Sequence, residues 1–173
     1  MKTRFNKTVW VMSALALVLS ASLASAAHIL QTFFIPLPED DVEVSLKIID
    51  SFGPNIGTEM QSIIGIAVGS DNTVIYYDHW EDGYEADLTS PTQLSTQIWG
   101  DGDPSNGYPP GFPDDLLMAG AVIELSAVID VTRNSVTIEY DGRDKLASTY
   151  PIAVTRAMYP VEPGEVIAEA VGV

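Results

Sequence analysis

Cysteine is absent from the 173 residues, so the chain has neither a disulfide framework nor thiolate ligands for zinc. Basic side chains are scarce, with eight Lys and Arg against 24 Asp and Glu. A field of that sign repels nucleic-acid phosphates and anionic lipid and concentrates cations. Histidine occurs only at His28 and His79, too few for a His-rich metal centre. Beyond residue 26 there is no membrane-length apolar run, no convincing amphipathic helix, no internal repeat and no heptad pattern. No Gly-x-Ser-x-Gly elbow accompanies the serines.

What is present begins with an export signal. Lys2, Arg4 and Lys7 precede an apolar segment from about Val9 to Leu19, and small residues end in Ala24-Ser25-Ala26. That order is what a signal peptidase reads, and the run is too short for a membrane span. Residues 1–26 are therefore expected to be a cleavable signal peptide. Residues 27–173 are expected to be one domain, secreted or held at the cell surface. Loss of the leader leaves five basic residues against 24 acidic ones, a net charge of −19. A domain of this size folds without covalent staples.

Apolar Ile29 to Ile35, ending at Pro36-Leu37-Pro38, reads as an edge strand. Val42, Val44, Leu46 and Ile48 alternate with polar residues as in a strand with one wet face. Ser51 to Gly57 is a loop. The short apolar run Ser62 to Gly69 suits a strand buried on both faces and is expected to form a hairpin with Thr73 to Tyr77 through Ser70-Asp71-Asn72. Further strands are expected at Thr92 to Trp99, Ala121 to Ala127, Ser135 to Tyr140, Tyr150 to Met158 and Glu165 to Val173. Gly100 to Asp115, with four prolines and four glycines, is a long loop of the kind that carries function. Eight or nine strands without alternating helices predict an all-β fold, an antiparallel β-sandwich or jelly-roll, with a closed barrel as the alternative. The last strand stops at Val173, which reads as a domain truncated at its C-terminus and presenting an unfinished edge.

Carboxylates, aromatics and a histidine crowd together only in Ile75 to Glu85, where Asp78, Glu81, Asp82 and Glu85 follow a strand and Asp82-Gly83 marks a turn. Asp101 and Asp103, with Asn106, set oxygens at alternate positions on a glycine-rich loop, the donor type calcium takes. The loop is no EF-hand, since Phe112 stands where a bidentate glutamate is required. Calcium is expected at Asp101 and Asp103 if Asp78 or Asp82 comes alongside. The alternative is a solvated turn whose Asp and Asn side chains cap their own backbone. Trp80, Tyr84, Trp99 and Tyr108 are candidates for an aromatic ligand-binding face. His79 beside Asp78 and Glu81 is compatible with acid–base work, although a chain this acidic places carboxylates near a histidine by chance.

Tyr77-Asp78-His79-Trp80-Glu81-Asp82-Gly83-Tyr84-Glu85, Ile98 to Asp103, Tyr140 to Lys145 and Ala153-Val154-Thr155-Arg156-Ala157 together resemble the N-terminal region of large exported bacterial surface proteins. The Ala-Val-Thr-Arg region alone is distantly similar to the IgGFc-binding-protein N-terminal domain. The first resemblance implies the opening piece of a longer adhesin-like or structural surface protein. The expectation is a non-enzymatic structural or adhesion module, calcium-stabilised, meeting an extracellular protein or glycan. The alternative is a carbohydrate-active hydrolase or carbohydrate-binding module using the Asp78 to Glu85 loop. A hydrolase needs two carboxylates facing each other across a cleft, here Asp78 or Glu81 with an acid of the 101–115 loop.

Overall fold

The computed structural model describes residues 31–49, 57–134, 136–162 and 168–172. The expected signal peptide and most of the Ser51 to Gly57 loop lie outside the described residues. Among the described residues, eight strands form two four-stranded antiparallel sheets. The first contains β1 (Gln31–Phe34), β3 (Ile75–Asp78), β4 (Gln97–Trp99) and β6 (Lys145–Ser148) in the order β1-β6-β3-β4. The second contains β2 (Glu59–Val68), β5 (Val122–Asp130), β7 (Ile152–Pro160) and β8 (Ala168–Gly172) in the order β5-β2-β7-β8. The expected all-β sandwich is what the chain forms; the two sheets are separate and do not close into a barrel.

Period-2 patterning builds the interior. Ile64, Ile66 and Val68 of β2, Ile123 and Leu125 of β5, and Ile152 and Val154 of β7 face Ile75, Tyr77, Trp99 and Leu146 of the other sheet in one buried cluster. Alternating side chains of a strand point to opposite faces, so one residue in two enters this layer. β2 is not buried on both faces: its even-numbered residues are buried, while Ala67 is exposed on the other side. Nor does it pair with β3. Both of its edges are occupied, by β5 and β7, so the chain turns through Asn72 (φ 58°) and crosses to the opposite sheet.

The alternating run from Val42 to Ile48 is an α-helix, α1 (Glu39–Ile49). Valine and leucine two apart fit a strand, but only Val42 and Leu46, spaced four, are buried; Val44 and Ile48 are 55% and 71% exposed. The first turn holds Glu39, Asp40 and Asp41 and the last holds Lys47, the charge order the helix dipole favours. Val42 and Leu46 pack on Met60 and Met158 and plug one end of the sandwich. Two other expectations change. Residues 136–140 form no strand, because Glu81 and Arg133 use the backbone of Glu139 and Thr137. The Thr92 to Trp99 strand shortens to β4, since Thr92 and Gln93 give their amides to Glu85.

The 100–115 loop is held by one buried carboxylate. Asp115 accepts the amides of Gly100 at 2.6 Å, Asp101 at 3.1 Å and Gly102 at 2.9 Å. Gly100 has φ +86°, and an added Cβ would overlap the Thr73 carbonyl. Gly100→Ala is therefore expected to cost at least about 1–3 kcal/mol, measured by urea denaturation; unchanged stability would show that the turn relaxes freely.

Candidate functional site

Asp78 of β3 stands opposite Lys145 of β6, so the segment leaving β3 and the segment entering β6 emerge from the same end of the first sheet. Arg133, from the β5–β6 connection, and the N-terminus of α1 meet them there. Asp144 is the buried centre. It accepts hydrogen bonds from the Tyr77 hydroxyl at 2.8 Å, the Asp141 amide at 3.1 Å and the Trp80 amide at 3.3 Å. Arg133 spans two further carboxylates, donating from Nε to Asp141 at 2.6 Å and from Nη2 to Glu81. Trp80 donates its ring N–H to Asp141 at 2.9 Å, and the guanidinium groups of Arg133 and Arg143 lie 5.7 and 5.4 Å from its ring centre.

His79 packs against Tyr77 and Tyr140 with ring centres 5.0 and 5.1 Å apart. Its Nδ1 lies 2.9 Å from the Glu139 carbonyl, which assigns the proton to that nitrogen, and 3.4 Å from Asp144. Glu39 of α1 reaches the same end, accepting from Arg156 and, at 3.2 Å, from the Gly142 amide. Asp40 forms a two-pronged pair with Arg143 at 2.8 and 2.9 Å.

Burial and crowding of like charge shape the electrostatics. Asp141 is pushed up to about 8, first by burial and then by Asp144 and Glu39. Burial also raises Glu81. For His79 burial acts downward, but the hydrogen bond and charge of Asp144 outweigh it and the net direction is up. A carboxyl raised from 3.8 to about 8 keeps a proton in the folded chain that the unfolded chain releases. Its contribution is complete below about pH 4 and is lost as pH rises toward 8. The urea midpoint, measured in chelator, is thus expected to be lower at pH 8.5 than at pH 5.5; a midpoint that rises over this interval would contradict the assignment.

The residues expected to share calcium are not brought to one point. Asp78 is buried and bonds Lys145 and the Glu85 amide at 3.0 Å each, and the Thr96 hydroxyl at 3.0 Å. Asp82 is exposed and accepts from Ser95 at 2.6 Å. Asp101 accepts the Asp103 amide at 2.8 Å and the Asn106 side chain at 2.8 Å, while Asp103 accepts the amide and hydroxyl of Ser105 at 3.1 and 2.6 Å. The self-capped turn is the arrangement present there. Of the aromatic candidates, Trp99 is wholly buried in the core and Trp80 is partly buried in the charged network. Tyr84 and Tyr108 are exposed, Tyr84 with its hydroxyl on the Arg143 carbonyl at 2.7 Å.

Tyr108 instead lines a groove of about 620 Å³, together with Gln93, Gln97, Asn106, Pro110 and Tyr140. His79, Glu81 and Asp144 each offer one ligand atom, all within 4.8 Å of one another, and as a group can hold a metal ion. The sequence singled out His79 and Glu81 for acid–base work and not as metal ligands, and it did not single out Asp144. The available signal was Asp141-Gly142-Arg143-Asp144, a tight turn in which Arg143 takes φ 80°. Compared with known proteins, the chain matches no protein-family model, no curated protein and no solved structure.

Proposed function

We propose that this chain is a non-enzymatic module of an exported or cell-surface protein, and that it meets a neutral glycan in the groove beside Tyr108 and Tyr140. One observation carries the reading: in a chain with 24 acidic residues, no charged side chain lines this groove. Its walls include the rings of Tyr108 and Tyr140, prolines and the amides of Gln93, Gln97 and Asn106. Aromatic faces offer apolar contact to a sugar ring, and amides both donate to and accept from hydroxyls. The hydrolase alternative needs two carboxylates across a cleft; here Asp78 and Glu81 are committed to Lys145 and Arg133.

The leader-like residues 1–26 support export, and the resemblance of the Tyr77 to Ala157 motifs to large bacterial surface proteins supports a structural or adhesive role. A cation belongs to this reading as a stabiliser rather than a reactant. Calcium at Asp101 and Asp103 has less support than the buried group, because those carboxylates already bond within their own turn.

Affinity electrophoresis against a panel of neutral and anionic polysaccharides tests the proposal. Retardation by a neutral polymer, abolished by Tyr108→Ala without a change in melting temperature, is the expected result. Release of reducing ends, or retardation that survives both Tyr108→Ala and Gln93→Ala, would overturn it.

A further inference from the structure

We propose that His79, Glu81 and Asp144 form a buried site for a divalent cation of the zinc class, taken up as the domain folds. The three residues are 2%, 5% and 0% exposed, and one ligand atom of each, a ring nitrogen in the case of His79, lies within 4.8 Å of the others. Clustered carboxylates alone do not define a site, but two atoms here point to a missing partner. Among the described residues, His79 Nε2 and Glu81 Oε2 are buried with no hydrogen-bond partner. Buried polar atoms are nearly always satisfied, so an orphaned pair within one cluster calls for an explanation.

The histidine is prepared as metal-binding histidines are: its Nδ1–H is held by the Glu139 carbonyl, which fixes the ring and leaves Nε2 with a lone pair. Charge points the same way. The neighbouring pairs Asp78–Lys145, Asp40–Arg143 and Glu39–Arg156 each cancel. What remains is three carboxylates, Glu81, Asp141 and Asp144, around the single guanidinium of Arg133. The donor set selects the ion class. One imidazole nitrogen with two carboxylates suits zinc and its first-row neighbours, whereas calcium takes oxygen ligands in larger number.

The full chain is unfolded in urea with chelator and refolded with chelator, Zn²⁺ or Ca²⁺. Native mass spectrometry is expected to show one zinc per chain, and the melting temperature to rise by about 5 °C or more over the chelated protein. Calcium should give neither effect. Cobalt gives a second readout, since Co²⁺ in a nitrogen-and-oxygen site of low coordination number absorbs visibly. Zinc and cobalt signals should disappear in His79→Gln and persist in Asp101→Asn/Asp103→Asn, which removes surface charge far from His79 in the sequence. The assignment is overturned if wild-type chain refolded with zinc carries no stoichiometric ion, or if the gain survives His79→Gln. Since the wild-type measurements decide the first point, a failure of His79→Gln to fold leaves the proposal open to refutation.

Discussion

Arg133→Ala is expected to destabilise the domain by about 3–5 kcal/mol, the usual penalty for leaving a buried charge without its partner. Two carboxylates depend on this one side chain. Glu81 and Asp141 have side chains 0% and 1% exposed, and Arg133 itself is only 6% exposed. With the guanidinium gone, both carboxyl groups lose its hydrogen bonds and its charge. Glu81 must take up a proton and Asp141 keep the one it holds, or the loop must open, and Trp80 loses one of the cations over its ring. A domain's whole stability is about 5–15 kcal/mol, so the variant should unfold well below the wild-type urea midpoint. Its more exposed counterpart is Arg143, whose side chain is 32% exposed and whose partner Asp40 is 41% exposed. Arg143→Ala should cost less than Arg133→Ala, and the reverse order would contradict the description of the network.

Arg156 provides the second large effect. It lies on the inward face of β7 opposite Ile64, 2% exposed, and pairs with Glu39 at the start of α1. A cation in an apolar layer is held there by its partner alone, since Nε and Nη1 find no acceptor. Arg156→Met leaves Glu39 buried and uncompensated beside Asp141, and should cost about 3–5 kcal/mol. Adding Glu39→Gln to Arg156→Met removes the stranded charge, so the double variant should recover a large part of that loss. A double variant that is worse by the full sum of the singles would show that the pair contributes through shape alone.

The legible and illegible parts of the fold divide by how far a signal reaches along the chain. The short apolar run of β2 and the alternation or β-branched content of β5 and β7 are local signals, and they set these strands and the sandwich class. Alternation also misled at Val42 to Ile48, where positions two apart contain positions four apart. The deciding features were the charges, Glu39 to Asp41 in the first turn and Lys47 in the last. The hairpin between β2 and β3 failed for a non-local reason, since which strands flank β2 is settled by β5 and β7 from a remote part of the chain.

The same division runs through the site. Ile75 to Glu85 stood out as the focal stretch, and it does supply Asp78, His79, Trp80 and Glu81 to one end of the first sheet. Arg133 joins them from the β5–β6 connection and pairs with Glu81 and Asp141. The meeting of Glu81 with Asp141 and Asp144, some 60 residues on, was not visible, because only the register of β3 against β6 creates it. Composition drew attention to Asp101 and Asp103 as ion ligands, whereas their carboxylates serve as acceptors for nearby amides. Much of the acidity of this chain has that use. Asp78, Glu85, Asp115 and Asp144 each hold backbone N–H groups in long connections that have no ladder partner.

Glu81, Arg133 and their neighbours act as one internal brace rather than as a set of available acids. A double-mutant cycle measures that directly. Urea denaturation of wild type, Glu81→Gln, Arg133→Met and the double variant, all in chelator, gives the coupling free energy between the two side chains. Coupling of at least about 1 kcal/mol is predicted for groups in one buried network. Losses that simply add, with each single variant near wild-type stability, would contradict it and return both side chains to the role of solvated surface charge.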